Sequence, residues 1–456
     1  MKHPRSRPLL LTATVVTALA ARGFWGCASE EPPGPGIESE GGTITPVDAG
    51  RDTSKPVVEA APPEPQPPEG WVPWNDFSPT CSLYVPPRRE LLPPPLEWEP
   101  CLDSPVTQKL ACRRIKKKWE GGSGPTQGEF LSPVTSAMIR EDGSVLISTT
   151  QYWGMRRMNV FAELDGAVKV AVYEHRIDNC LLFAGAGSGS HYIYHVFEPG
   201  SDGRMKGGVS AIGGNIDELR PRALIRTPPD DDFTSHQIVA GNAGFFDYRG
   251  GVTLYRWDAP TKPVPIAPGG DNYLVRPWGD MAHWSVGESV ADMIWTPEGG
   301  AQPFVTFPDR TKGAGSLGTD GVHWVWVEGE GRTTVTYPRV SLMVAPFTRD
   351  PSALQKRKLR GDLDSLPFGT AKFVVGHGFA ARGMARNDDA GVYKMGILVA
   401  RLSDGVAYYL PSDRVELGYA LAMTKDEVIV RGRDKDGTNV FRIRLDSLGA
   451  FELPPP

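Results

Sequence analysis

Four histidines, His236, His283, His323 and His377, each precede an apolar or aromatic run (SHQIV, AHWSV, VHWVW and GHGFA). Imidazole is a metal ligand and a proton carrier near neutral pH. If these segments occupy equivalent places in a repeated fold, the four rings would line one central channel. The competing role is hydrogen bonding at the ends of inner strands. No carboxylate or cysteine recurs at a fixed offset from them, and a metal site would need such partners. His191 and His195 stand four apart in a strand-like run. On a strand they share a face but lie about 13 Å apart, too far for one metal ion.

Other residue clusters read as structure. Gly313–Gly318 spells G-x-G-x-x-G, but it leads into an Asp-Gly turn and a strand, not the helix a dinucleotide needs. Gly185–Gly189 lacks the Lys and helix start of a phosphate loop and reads as a flexible turn. Asp230, Asp231 and Asp232 follow two prolines and read as an acidic loop, with calcium as the functional alternative. Residues 382–389, starting at Arg382, read as a polar loop. The run Arg113, Arg114, Lys116, Lys117, Lys118 reads as a solvated segment, with anionic lipid or lipopolysaccharide as the alternative partner. A formal net charge of −5 argues against a nucleic-acid partner. No Ser/His/Asp arrangement, P-loop or H-E-x-x-H is assigned, and no cofactor is expected.

The elements that would position these groups recur. An alternating strand runs into an acidic turn in VFAELD to Asp165, TLYRWD to Asp258, VARLSD to Asp404 and VFRIRLD to Asp446, with looser copies near Asp202, Glu298 and Asp350. The mean spacing, (446 − 165)/6, is about 47 residues, in the range of a four-stranded propeller blade. The expectation is an all-β chain: a β-propeller of about seven four-stranded blades over 125–456, with six or eight as alternatives. Each landmark is taken as the turn between a blade's two outer strands. Val322–Trp326 alternates with both faces apolar and should supply bulk between sheets. Arg442 and Arg444 alternate with Phe441, Ile443 and Leu445, which suggests a strand with one solvated face.

The N-terminal hundred residues differ. Lys2, Arg5 and Arg7 precede an apolar run, Leu9–Ala21, too short to span a bilayer and suited to a secretory signal. Residues 1–27 are read as a signal peptide with a lipobox-like end, Gly26-Cys27. Cys27 is the candidate lipid-attachment residue, and cleavage after Ala20 with plain secretion is the alternative. Of the chain's 43 prolines, 18 fall between Glu31 and Pro100. Residues 28–70 are read as a disordered Pro-rich linker, because so few large apolar side chains cannot offset ordering entropy. Residues 71–124 are read as a Pro/Trp-rich neck with little regular structure. If Cys27 carries lipid, Cys81, Cys101, Cys112 and Cys180 remain as an even set. Cys81–Cys101 with Cys112–Cys180 is one of three pairings.

This rhythm resembles bacterial envelope lipoproteins with a C-terminal β-propeller, including the loosely repeated TolB-like type. The resemblance implies an outer-membrane lipoprotein, held by its N-terminal lipid, whose propeller is a platform for an envelope protein or glycan. The alternative is a polysaccharide lyase or hydrolase with its site in the funnel. A third reading is a structural role with no small ligand; on replacing His283, His323 and His377 with alanine, unchanged stability with lost activity would favour the enzyme and lost folding the structural role.

Overall fold

The computed structural model describes residues 67–74, 83–101, 109–116, 136–140, 142–153, 156–174, 181–184, 187–197, 209–226, 238–247, 251–268, 272–286, 291–307, 317–329, 339–364, 373–387, 393–411, 416–434 and 437–455. All lie in the compact unit Pro63–Pro456. Cys27, Cys81, Cys180, His236, Asp230 to Asp232, Lys117 and Lys118 fall outside the described residues.

Antiparallel four-stranded sheets follow one another along the chain, and together they make a seven-bladed β-propeller. Blade 1 is Ser136–Ile139, Val145–Trp153, Arg156–Glu163 and Val168–Glu174. Blade 2 is Leu181–Ala184, His191–Phe197, Val209–Asn215 and Arg222–Arg226, and blade 3 is Ile238–Ala240, Gly244–Asp247, Val252–Arg256 and Ala259–Ala267. Blade 4 is Asn272–Trp278, Met281–Val286, Ala291–Thr296 and Gly300–Thr306. Blade 5 is Gly318–Thr319, His323–Gly329, Arg339–Pro346 and Arg357–Asp364, and blade 6 is Val374–Gly376, Phe379–Asn387, Tyr393–Arg401 and Ala407–Pro411. Blade 7 takes Glu416–Met423, Glu427–Asp434 and Gly437–Arg444 from the C-terminal part.

The fourth strand of blade 7 is Cys112–Ile115, which pairs antiparallel with Gly437–Arg444, and Trp98–Pro100 pairs beyond it as a fifth. At the other side of the seam, Leu83–Val85 extends the outer edge of blade 1, and Val72–Trp74 pairs with that strand. The neck, expected to carry little regular structure, therefore has four short strands. It completes the ring from the N-terminal side of residue 125. Cys101 is disulfide-bonded to Cys112 across this hairpin, which replaces the pairing Cys81–Cys101 with Cys112–Cys180. The reason is register: Pro100 faces Arg113, which sets the next two residues side by side.

A single sheet leaves two apolar faces, and stacking each against its neighbour buries both. The core is accordingly divided into clusters between successive blades. Phe161 and Leu146 meet Tyr192 and Tyr194 between blades 1 and 2. Val239 and Phe246 meet Trp284 between blades 3 and 4, and Ile294 meets Trp324 and Trp326 between blades 4 and 5. The Trp-rich strand of blade 5 does have two apolar faces, since Val325 and Val327 pack toward blade 6. Val145 and Ile147 meet Ile429 and Val440 where blade 7 returns to blade 1.

The acidic landmarks acquire a physical meaning. Asp165, Asp258, Glu298, Asp350 and Asp404 lie between the third and fourth strands of their blades, as expected. Asp446 lies just past the third strand of blade 7, in the 3-10 turn Leu445–Phe451, and the fourth strand comes from the neck. Asp202 falls between second and third strands, and Asp217 holds the outer-turn place in blade 2 instead. In three landmarks an arginine near the strand end pairs with the acid: Arg256–Asp258 at 3.2 Å, Arg401–Asp404 at 2.6 Å, and Arg444–Asp446. Asp142, Asp320 and Asp404 also accept a backbone N–H two residues on, from Ser144, Val322 and Val406. The glycine after each sits at φ of 78 to 80°, the left-handed region such turns require.

Two loop expectations are corrected. Gly187–Ser188 is not a free turn. It pairs in parallel with the first strands of blades 1 and 3, at Met138 and Ala240. A Cβ on Gly189 would stand 1.4 Å from Asn242 Oδ1, so glycine here permits the close approach of three blades. Arg382 is likewise in a strand, Phe379–Asn387, and is 2% exposed.

Candidate functional site

Blade 4 places a set of polar side chains inside the wedge it forms with blade 5. Side chains alternate along a strand. In Met281–Val286, Ala282 and Trp284 face blade 3, which leaves Met281, His283 and Ser285 facing blade 5. Cross-strand register then puts Arg276 opposite His283, and Asp292 opposite Ser285.

Asp292 is 1% exposed. Ser285 Oγ donates to its Oδ1 at 2.6 Å, and its Oδ2 has no hydrogen-bond partner among the described residues. Burial raises the carboxyl to a pKa of about 6, against the opposing pull of Ser285 and of the Arg276 charge. Asp292 is therefore a carboxylic acid held close to its ionisation point. Arg276 Nη1 donates to the carbonyls of Leu317, at 2.9 Å, and Phe373, at 3.2 Å. These residues immediately precede the first strands of blades 5 and 6, so one guanidinium braces three blades. Arg382 lies with its guanidinium carbon 5.4 Å from the centroid of the Phe373 ring. Burial lowers its pKa to about 10. The arrangement can take up and release a proton in a desolvated setting. Ser285 and Arg276 are the groups acting on Asp292; a second carboxylate, which glycoside hydrolysis uses, is not among the causes of its shift.

The histidines occupy unlike places. His283 is buried in this wedge, edge-on to Trp324 with centroids 5.4 Å apart. His323 opens the second strand of blade 5, its Nδ1 3.5 Å from Asp320 Oδ2. His377 is exposed in the turn between the first two strands of blade 6, at φ 50°. His195 bonds the carbonyl of Ile238, while His191 stacks on Trp257 at 4.3 Å. Among the described residues no three His, Cys, Asp or Glu side chains gather as a metal site.

A second polar cluster closes the ring. Arg442, expected on a solvated face, is instead buried in the seam between blades 7 and 1. Its Nε donates to Glu427 Oε2 at 2.7 Å, its Nη2 donates to Asp165 Oδ2 at 2.8 Å, and it lies over the Trp98 ring. The Arg442 hydrogen bonds hold the Asp165 carboxyl below its usual range. Trp98 in turn donates to the carbonyl of Leu164 at 2.7 Å. The basic run belongs to the same construction: Arg113 pairs with Glu427, Arg114 with Glu99 and Lys116 with Glu97.

Sequence reasoning passed over Arg276, Ser285 and Asp292. The available signal was a charged residue inside an apolar strand, as in Ala291-Asp292-Met293-Ile294-Trp295.

No family model matches the chain, and no curated protein matches it. Among solved structures it is similar to a virginiamycin B lyase of Staphylococcus aureus, at 14% identity over 69% of this chain and 97% of that one, with a TM-score of 0.41. It is similar also to the β-propeller domain of the trilobed protease of Pyrococcus furiosus, at 10% identity over 69% and 93%, with a TM-score of 0.42. A third is a structure described as TolB of Agrobacterium tumefaciens, at 11% identity over 50% and 82%, with a TM-score of 0.29. Likeness at this level says nothing of activity, and the propeller assignment rests on the strand pairing itself.

Proposed function

We propose that this protein is a membrane-tethered envelope lipoprotein whose propeller binds an envelope protein or glycan. The observation that carries the binding reading is the uneven length of the links between strands that are themselves regularly paired. Tight turns such as 279–280 and 377–378 join some strands, and 198–208, 227–237 and 330–338 separate others in the chain. Recognition residues tend to lie on such connections when a rigid scaffold positions them. The interior supports the scaffold role, because Arg442 and Arg276 both tie blade to blade. The tether reading is supported by the Leu9–Ala21 run, Gly26-Cys27 and the proline-rich segment after it. No described helix is long and apolar enough to cross a membrane.

Cross-linking on intact cells, with mass spectrometry of the adducts, tests the binding role. A partner recovered at fixed stoichiometry is the expected result; a monomer without adducts, when accessible and abundant, would contradict it. Cys27→Ser should move the protein to the soluble fraction, and continued membrane attachment would refute lipidation at that residue.

A further inference from the structure

We propose that Asp292 and Arg276 form a proton-operated strut, which locks the inner strands of blades 5 and 6 to blade 4 when Asp292 is neutral and loosens them when it ionises. Arg276 is engaged with the Leu317 and Phe373 carbonyls, and Asp292 Oδ2 has no hydrogen-bond partner among the described residues. That division suits a neutral acid. A buried carboxylate anion is costly without a cation or several donors. Arg276 is the cation that acts on Asp292. Ionisation draws its guanidinium toward Oδ2 and weakens the two carbonyl bonds. Leu317 and Phe373 stand immediately before the inner strands Gly318–Thr319 and Val374–Gly376. Any consequence for binding rests on the proposed platform role, whereas the strut itself does not.

Other titratable groups among the described residues flank the wedge. His283 shares the face of Ser285 on the second strand of blade 4. Glu328 follows Trp324 and Trp326 on the facing strand of blade 5 and is held by Lys356, at 3.0 Å, and by Trp326 Nε1, at 3.0 Å. The third strand of blade 5 presents Met343 and Ala345. Arg382 packs over the Phe373 ring, 5.4 Å from its centroid, and is not among the groups that shift Asp292. The acid's ionisation point, near 6, sits where modest acidification changes its state.

The test is hydrogen–deuterium exchange of the whole chain at about pH 5 and about pH 7.5, corrected for intrinsic rates, on wild type, Asp292→Asn and Ser285→Ala. No partner is needed, so failure of the binding reading would not be mistaken for failure here. In wild type, peptides covering Gly318–Thr319 and Val374–Gly376 should exchange roughly tenfold more slowly at the lower pH. Asp292→Asn should show slow exchange at both values. Ser285→Ala, which removes a bond favouring the ionised acid, should move the midpoint upward; this arm keeps the test decisive if Asp292→Asn does not fold. A flat wild-type profile would overturn the strut. So would an unchanged response in Asp292→Asn, which would assign the effect to His283, or an unmoved midpoint in Ser285→Ala.

Discussion

The seam between blades 7 and 1 and the wedge between blades 4 and 5 both bury charge, and they handle it in opposite ways. In the seam between blades 7 and 1, Arg442 meets two carboxylates and an indole ring, and Glu427 also meets Arg113. In the wedge between blades 4 and 5, Asp292 receives one hydroxyl, and the nearby Arg276 reaches past it to backbone carbonyls. A satisfied network keeps its charges over a wide pH range and acts as a latch. A half-satisfied acid has its ionisation point moved instead. The first wedge joins chain segments hundreds of residues apart, where a ring must be held shut. The second lies inside a continuous run of chain that needs no latch.

Breaking the latch should have the largest effect. Arg442→Ala leaves Glu427 buried beside only Arg113, and stability should fall by about 3–5 kcal/mol, read from denaturant unfolding. A loss below about 1 kcal/mol would make the network decorative. Opening the Cys101–Cys112 bond with Cys101→Ser and Cys112→Ser should cost about 3 kcal/mol, from the chain entropy of an 11-residue separation. The lowered thermal midpoint should match that of reduced wild type.

Asp292→Asn should act in the other direction. A raised native pKa means that the unfolded chain releases this proton first. The contribution of Asp292 is full below about 4 and falls away as pH rises through about 6. A shift of about two units corresponds to about 3 kcal/mol. Asp292→Asn should therefore be more stable than wild type at neutral pH, by up to that amount, and the gain should vanish near pH 4. The smallest effect belongs to the exposed pair Arg401–Asp404. Arg401→Ala should leave the thermal midpoint unchanged, because solvent screens a pair of that kind.

What the sequence discloses follows from what repeats. The blade rhythm is legible because Asp258, Asp404 and Asp446 each follow an arginine that pairs with them, a local contact that leaves a local signature. Closure is not legible, because Cys112–Ile115 meets Gly437–Arg444 from across the whole chain. Arg442 was misplaced for the same reason: alternation shows that two faces differ, but not that a neck strand and Asp165 cover the polar one. Glycine content at 185–189 looks like flexibility in sequence; at Gly187 and Gly189 it serves close contact between blades. The site around Asp292 is hardest to see, since Arg276, Ser285 and Asp292 come from three strands and only register brings them together.

The most direct measurement is the unfolding free energy of wild type and Asp292→Asn across about pH 4 to 8 by chemical denaturation. The account predicts that the two curves meet near pH 4 and separate through about 6, with Asp292→Asn the more stable above it. Parallel curves, or a wild type that gains on Asp292→Asn as pH rises, would show that Asp292 is a paired structural acid like those in the seam and would remove the contrast between the two wedges.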